Sequence, residues 1–183
     1  MSQTRTVAMV VGSLRKDSVS RKIANAFATL QPDLRFNAVG IGDLPLFDQD
    51  REAEPPAEWV RFRQEIAACE ALLFVTPEYN RSVPGALKNA LDVGSRPYGQ
   101  SVWSGKPGGV ISVSPGAIGG FGANHHLRQS LVFLNVPLLS QEAYIGNAFS
   151  LFDDSDALIN DGTRDFLRAQ GKAFATWIER ILA

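Results

Sequence analysis

Short apolar runs alternate along this chain with longer stretches whose apolar residues recur every three or four positions. The first run, Thr6 to Val11, stops at Gly12-Ser13. Val19, Ile23, Ala26, Phe27 and Leu30 then share one helical face, closed by Pro32. Leu34 to Val39 reads as a second strand, and Gly42 to Gln49 as a loop with buried anchors. Pro55-Pro56 opens a helix striped by Trp59, Phe62, Ile66 and Cys69. Ala71 to Val75 is apolar throughout, the mark of a strand buried on both faces. Val83, Leu87, Ala90 and Leu91 predict a helix with Pro84 in its first turn. Gly108 to Ser114 predicts a fourth strand, and Leu127, Leu131 and Leu134 a further helix. Pro137 to Ile145 is a weaker, mixed fifth strand. The last helix begins near Thr163 and carries Phe166, Gln170, Phe174, Trp177 and Ile181.

Strand and helix taking turns in this way give a parallel sheet with helices on both faces. Five strands in 183 residues fit an α/β, flavodoxin-like, doubly wound sheet of order 2-1-3-4-5, with residues 1–183 as a single domain. Such sheets bind ligands outside the carboxyl ends of their strands, near the switch point between the first and third. The loops after strands one, three and four are therefore expected to meet. Lys plus Arg number 18 and Asp plus Glu 19, a balance that argues against nucleic acid as a partner. The single cysteine, Cys69, excludes an intrachain disulfide and cysteine-based zinc or iron–sulfur sites. No apolar stretch reaches the length of a signal sequence core or a membrane span, so the expectation is a cytoplasmic protein with no membrane partner.

The first loop, Gly12 to Arg21, joins a strand to a helix start and offers the hydroxyls of Ser13, Ser18 and Ser20 together with Arg15. Free N–H groups and the positive dipole end of a helix suit a phosphate there, and Arg15 adds a charge-assisted donor. Ser18 also fits the plain role of N-cap. The loop is neither a Walker A motif nor a Gly-x-Gly-x-x-Gly fingerprint. The second loop, Pro77-Glu78-Tyr79-Asn80, offers main-chain N–H groups and an aromatic face where a planar heterocycle would lie, or forms a proline turn around one satisfied acid. The third, Ser114 to Gly120, is glycine-rich and would floor the same space or serve only as a turn.

Gly12-Ser13-Leu14-Arg15 with Ser18 and Ser20, followed by Thr76-Pro77-Glu78-Tyr79-Asn80 and Ser82 to Ala90, resembles the NAD(P)H-dependent FMN reductase family, in its chromate/quinone reductase branch. The resemblance spans nearly the whole chain. It implies that Ser13, Arg15, Ser18 and Ser20, with main chain from Leu14 to Val19, hold the FMN phosphate. It assigns the isoalloxazine to Pro77, Glu78, Tyr79 and Asn80, and its pyrimidine side to Ser114 and Gly116. It implies NADH or NADPH as hydride donor and a two-step, ping-pong exchange with small-molecule electron acceptors: quinones, chromate, ferric complexes or free flavin. It also implies a homodimer or homotetramer. No side-chain acid or base is needed for hydride transfer, so no catalytic residue is assigned.

Two other classes fit the same fold. A flavodoxin-type one-electron carrier is usually strongly acidic with an arginine-free phosphate loop, unlike this near-neutral chain with Arg15 and Lys16. A non-enzymatic domain binding another phosphate ligand is the other. His125 and His126 are adjacent, point apart on a helix, and read as a surface or interface pair. Cys69 and the Trp59/Phe62 and Phe174/Trp177 stripes read as core, Trp103 and Phe121 as exposed aromatics of an oligomer or equally as local packing, and Arg81 and Arg96 as solvated cations or contacts for a nicotinamide phosphate.

Overall fold

The apolar runs become five parallel strands in one sheet. A computed structural model describes residues 4–183. In chain order the main elements are β1 (Arg5–Val11), α1 (Val19–Thr29), β2 (Leu34–Val39), α2 (Ala57–Ala67), β3 (Ala71–Pro77), α3 (Gly85–Ser95), β4 (Gly108–Val113), α4 (Phe121–Phe133), β5 (Ala143–Ile145) and α5 (Asp161–Leu182). The sheet order is β2-β1-β3-β4-β5, the expected flavodoxin-like arrangement, with every pairing parallel.

Alternation along each strand splits the core into two layers, because successive side chains point to opposite faces. Ala8, Val10, Leu72 and Phe74 face Phe62, Leu87 and Leu127 of α2, α3 and α4. Val7, Met9, Leu73 and Val75 face Ile23 and Phe27 of α1 and Leu167 and Phe174 of α5. Strands covered on both sides must be apolar at every position, which is why β3 reads as an unbroken run.

Several expectations change. The fifth strand shrinks to three residues; Pro137–Leu139 instead brackets Gly108, whose N–H donates to Pro137 O at 3.0 Å and whose carbonyl accepts from Leu139 N at 2.8 Å. Of its two readings, Trp103 takes local packing: it is fully buried, with Nε1 donating to Leu91 O at 3.0 Å and its ring against Phe62 and Phe74. Phe121 is exposed as expected. The buried face of α5 is Leu167, Gln170, Gly171, Phe174 and Ile178, so Phe166 and Ile181 lie off it. Gln31 packs on Gly171, and Gln170 bonds Gln141 O at 3.1 Å, so two polar residues and a glycine occupy the seam where an apolar stripe was sought. Pro84 precedes α3 as its N-cap, and Cys69 is buried just past the end of α2. No helix among the described residues is long and apolar enough to cross a membrane.

Candidate functional site

Gly12 brings the first two loops together. Its N–H donates to Val75 O at 2.9 Å, and a Cβ at Gly12 would lie 2.9 Å from Thr76 Oγ1. Only a residue without a side chain lets the chain leave β1 this close to the end of β3. Ser114 follows β4 beside them, its N–H donating to Ile145 O at 2.9 Å. One cleft results at the carboxyl edge of the sheet. Ser13, Arg15, Ser18, Val19 and Ser20 form one side, with Pro77, Glu78, Tyr79 and Ser114 across from them.

The α1 end of the cleft is a set of donors. Ser18 is the N-cap, its Oγ accepting the Arg21 N–H at 3.2 Å, so the plain cap role holds and its own O–H remains to donate. Ser13 Oγ accepts from Arg15 N at 3.4 Å. Ser20 is 3% exposed, lines the cleft and has no hydrogen-bond partner among the described residues. The first-turn N–H groups of Val19 and Ser20 likewise find no protein acceptor. No side-chain polar atom sealed from solvent lacks a partner among the described residues, so these donors face the open cleft, where water or an anion can take them up. Hydroxyls, a helix N-terminus and one guanidinium match the oxygens of a phosphate monoester, and the residues present therefore fit the phosphate of FMN.

The second loop is a tight hairpin. Tyr79 N donates to Ser82 O and Ser82 N to Tyr79 O, both at 2.9 Å. Asn80 and Arg81 between them have φ of 51° and 63°, the left-handed pair of a type I′ turn. An arginine is seldom held this way, and neighbours fix it here. Glu78 Oε1 pairs with Arg81 Nη1 at 3.2 Å, Glu78 Oε2 accepts from Ala123 N at 3.1 Å, and His126 Nδ1 lies 3.0 Å from Ser82 Oγ. Tyr79 is left half exposed at the cleft mouth.

Three sequence-marked residues sit outside the cleft lining. Leu14 turns toward Gly42, Asn80 occupies the exposed hairpin tip, and Gly116 accepts N–H groups from Gly119 and Asn147. Gly119 and Gly120 pack against β5 and β4, so they shape the turn rather than floor the cleft. Arg96 lies at the far end of α3, about 16 Å from the hairpin end by helical rise, and pairs with Glu52 at 2.5 Å. His125 and His126 diverge as expected, with His125 Nε2 lying 3.1 Å from the Tyr144 hydroxyl. Burial, then the bond to Glu142, pushes that phenol up to about 12.

Pro115 of the third loop lines the cleft as well, and so do Val113, Ala148 and Phe149, which the sequence reading did not mark. Gly146-Asn147 just after β5 was the available signal, since every strand in such a sheet ends on the ligand side. A more apolar cavity lies between α2 and the end of α3, walled by Phe47, Trp59 and Val102, but it contains none of the loop residues.

The family described as NADPH-dependent FMN reductase matches residues 5–150. A protein from Pseudomonas putida named quinone reductase is 64% identical over 182 residues, covering 98% of this chain and 97% of its own. A Burkholderia protein named 2-hydroxy-1,4-benzoquinone reductase is 47% identical over 174 residues, covering 94% and 95%. The solved structure of FerB, a flavoenzyme NAD(P)H:(acceptor) oxidoreductase from Paracoccus denitrificans, superposes with a TM-score of 0.91 at 40% identity, covering 97% of this chain and 98% of that one. Sheet order, loop motifs and these matches agree that the chain belongs to the NADPH-dependent FMN reductase family.

Proposed function

We propose that this chain, acting as one domain, binds FMN in the three-loop cleft and uses NADH or NADPH to reduce quinones. The observation that carries the reading is the cluster of cleft-facing donors, the Ser20 hydroxyl beside the free first-turn N–H groups of α1, opposite Pro77 and Tyr79. Bound there, FMN would supply the redox chemistry that couples a nicotinamide hydride donor to an electron acceptor in two half-reactions. Ser13, Arg15, Ser18 and Ser20 hold the phosphate, with the main chain of Leu14 and Val19. Pro77, Glu78, Tyr79 and Ser114 flank the ring, and the main chain of Asn80 and Gly116 sets the loops that carry them. The half-exposed Tyr79 leaves the mouth open to flat substrates, which supports alternate visits by nicotinamide and acceptor.

The quinone reductase names of the relatives at 64% and 47% identity support a quinone as acceptor. Chromate, ferric complexes and free flavin are acceptors of the same open-mouthed kind. A homodimer or homotetramer belongs to this reading, supported by the exposed Val132 and Phe133 on α4.

Anaerobic stopped-flow mixing of the FMN-loaded protein with NADH or NADPH, then with a benzoquinone, tests the proposal. Rapid loss of the flavin band and its return on adding quinone are expected, with parallel double-reciprocal lines in steady state. A flavin that NAD(P)H alone leaves oxidised would make the protein a one-electron carrier. A protein that takes up no FMN would overturn the reading.

A further inference from the structure

We infer that Phe149 is an apolar contact for the flavin itself, not for its phosphate, and that it governs how long the flavin stays bound. The inference rests on the FMN reading above and adds a residue to that site.

Phe149 lies on the connection between β5 and α5. It lines the same cleft as Ser18, Val19, Pro77 and Tyr79. The ring is 64% exposed, whereas Ala148 before it and Leu151 after it are buried in the core under the sheet. The short turn is therefore anchored on both sides of Phe149, its one large apolar side chain that faces outward, beside the exposed polar Asn147 and Ser150. A large apolar ring left in water forgoes burial that a ligand can restore.

The backbone that carries it is fastened at both ends. Asn147 is left-handed, with φ of 50° and ψ of 34°. Asn147 N donates to Gly116 O at 3.3 Å, Ala148 N to Ser114 O at 3.2 Å, and Ser150 N to Asn147 O at 3.1 Å. These bonds fix the turn to the third loop. Farther along, Asp156 pairs with Lys22, whose ammonium also stands 5.9 Å from the centre of the Phe152 ring. Lys22 belongs to α1, the helix whose first turn carries the donors. The connection thus runs from the ring-side loop to the phosphate-side helix, and Phe149 is held over the space between them.

The chemistry of the lining divides in the same way. Hydroxyls and the guanidinium of Arg15 gather at the α1 end, while Pro77, Val113, Pro115 and Phe149 supply apolar surface. A phenyl ring offers nothing to a phosphate oxygen but matches a flat heterocycle or the carbon side of a ribityl chain.

The test compares FMN with riboflavin, which lacks the phosphate, by quenching of flavin fluorescence and by dissociation rate after dilution. Phe149→Ala is expected to weaken both ligands alike, by about tenfold or about 1.4 kcal/mol, with faster release. Phe149→Leu should recover most of the loss. Arg15→Ala should weaken FMN and leave riboflavin unchanged. Thermal melts of the ligand-free variants check that each is folded. If Phe149→Ala weakens FMN but not riboflavin, the residue acts through the phosphate loop and the inference is wrong. If the wild type binds both and Arg15→Ala behaves as stated while Phe149→Ala changes nothing, this inference alone falls. If the wild type binds neither flavin, the FMN reading falls and takes the inference with it.

Discussion

Glu78 caps α4 from the second loop: its Oε2 accepts the main-chain N–H of Ala123 at 3.1 Å. The helix has no cap of its own, since Gly120 holds the N-cap position in the left-handed conformation. One carboxylate thus serves a helix start and, through Arg81, the hairpin that presents Tyr79. Glu78→Ala should cost about 1–2 kcal/mol of stability, the usual worth of an N-terminal cap. Glu78→Gln, which keeps an acceptor but loses the charge, should cost less than half as much. Urea unfolding of both variants measures this.

Gly122 marks where α4 presses on that hairpin. A Cβ there would meet Arg81 O at 2.8 Å and Glu78 Oε2 at 3.0 Å. Gly122→Ala must push the turn aside, because its backbone carbonyl cannot swing away as a side-chain tip can. Flavin affinity should fall by at least about fivefold, or about 1 kcal/mol, although alanine favours the helix. An equilibrium titration with FMN, read beside a thermal melt, separates the two effects.

Arg15 is the guanidinium of the donor cluster. Charge-assisted hydrogen bonds contribute about 1.5–3 kcal/mol, so Arg15→Ala should weaken FMN by about 10- to 100-fold. Raising the salt concentration should narrow the gap between wild type and variant. FMN titrations at low and high ionic strength check both statements.

Acid should loosen the sheet from its other edge. The Thr6 N–H first, and then Arg5, hold the Glu70 carboxyl below the ordinary carboxylate range, and the Arg5 guanidinium does the same to Glu179. Carboxyls depressed in the folded state stabilise it fully above the unfolded value, about 4.3, and that stability is lost as pH falls through their lower folded values. Unfolding midpoints should hold steady from neutral pH to about 5 and drop toward pH 3, and Glu70→Gln should flatten that acid limb. Urea midpoints across this range decide it.

The alternation of apolar runs was enough to read the sheet, because strands covered on both faces cannot hide their composition: Ala71 to Val75 and Val7 to Val11 announce themselves. The first-loop residues that line the cleft were legible for a related reason. Hydroxyls and an arginine between a strand and a helix have few other reasons to cluster. What escaped depended on contacts distant in sequence. Trp103 is buried because Gly94 leaves room for its ring, and no local pattern records that. The seam of α5 is sealed by Gln31 on Gly171, so the expected stripe shares Gln170 and Phe174 with the buried face but misses Leu167 and Ile178. Phe149 reaches the cleft through a long connection whose path is set by Ser114, Gly116 and Lys22 rather than by its own composition.

Arg5 grips Glu70 at 2.7 Å and Glu179 at 2.9 Å, joining the first strand, the approach to the third and the final helix in a single clasp. That clasp lies on the rim of the sheet opposite the mouth. Rigidity and chemistry are therefore assigned to separate ends of the same strands. An engineer could harden the floor of this molecule, residue by residue, and leave the opening where small molecules come and go as it was.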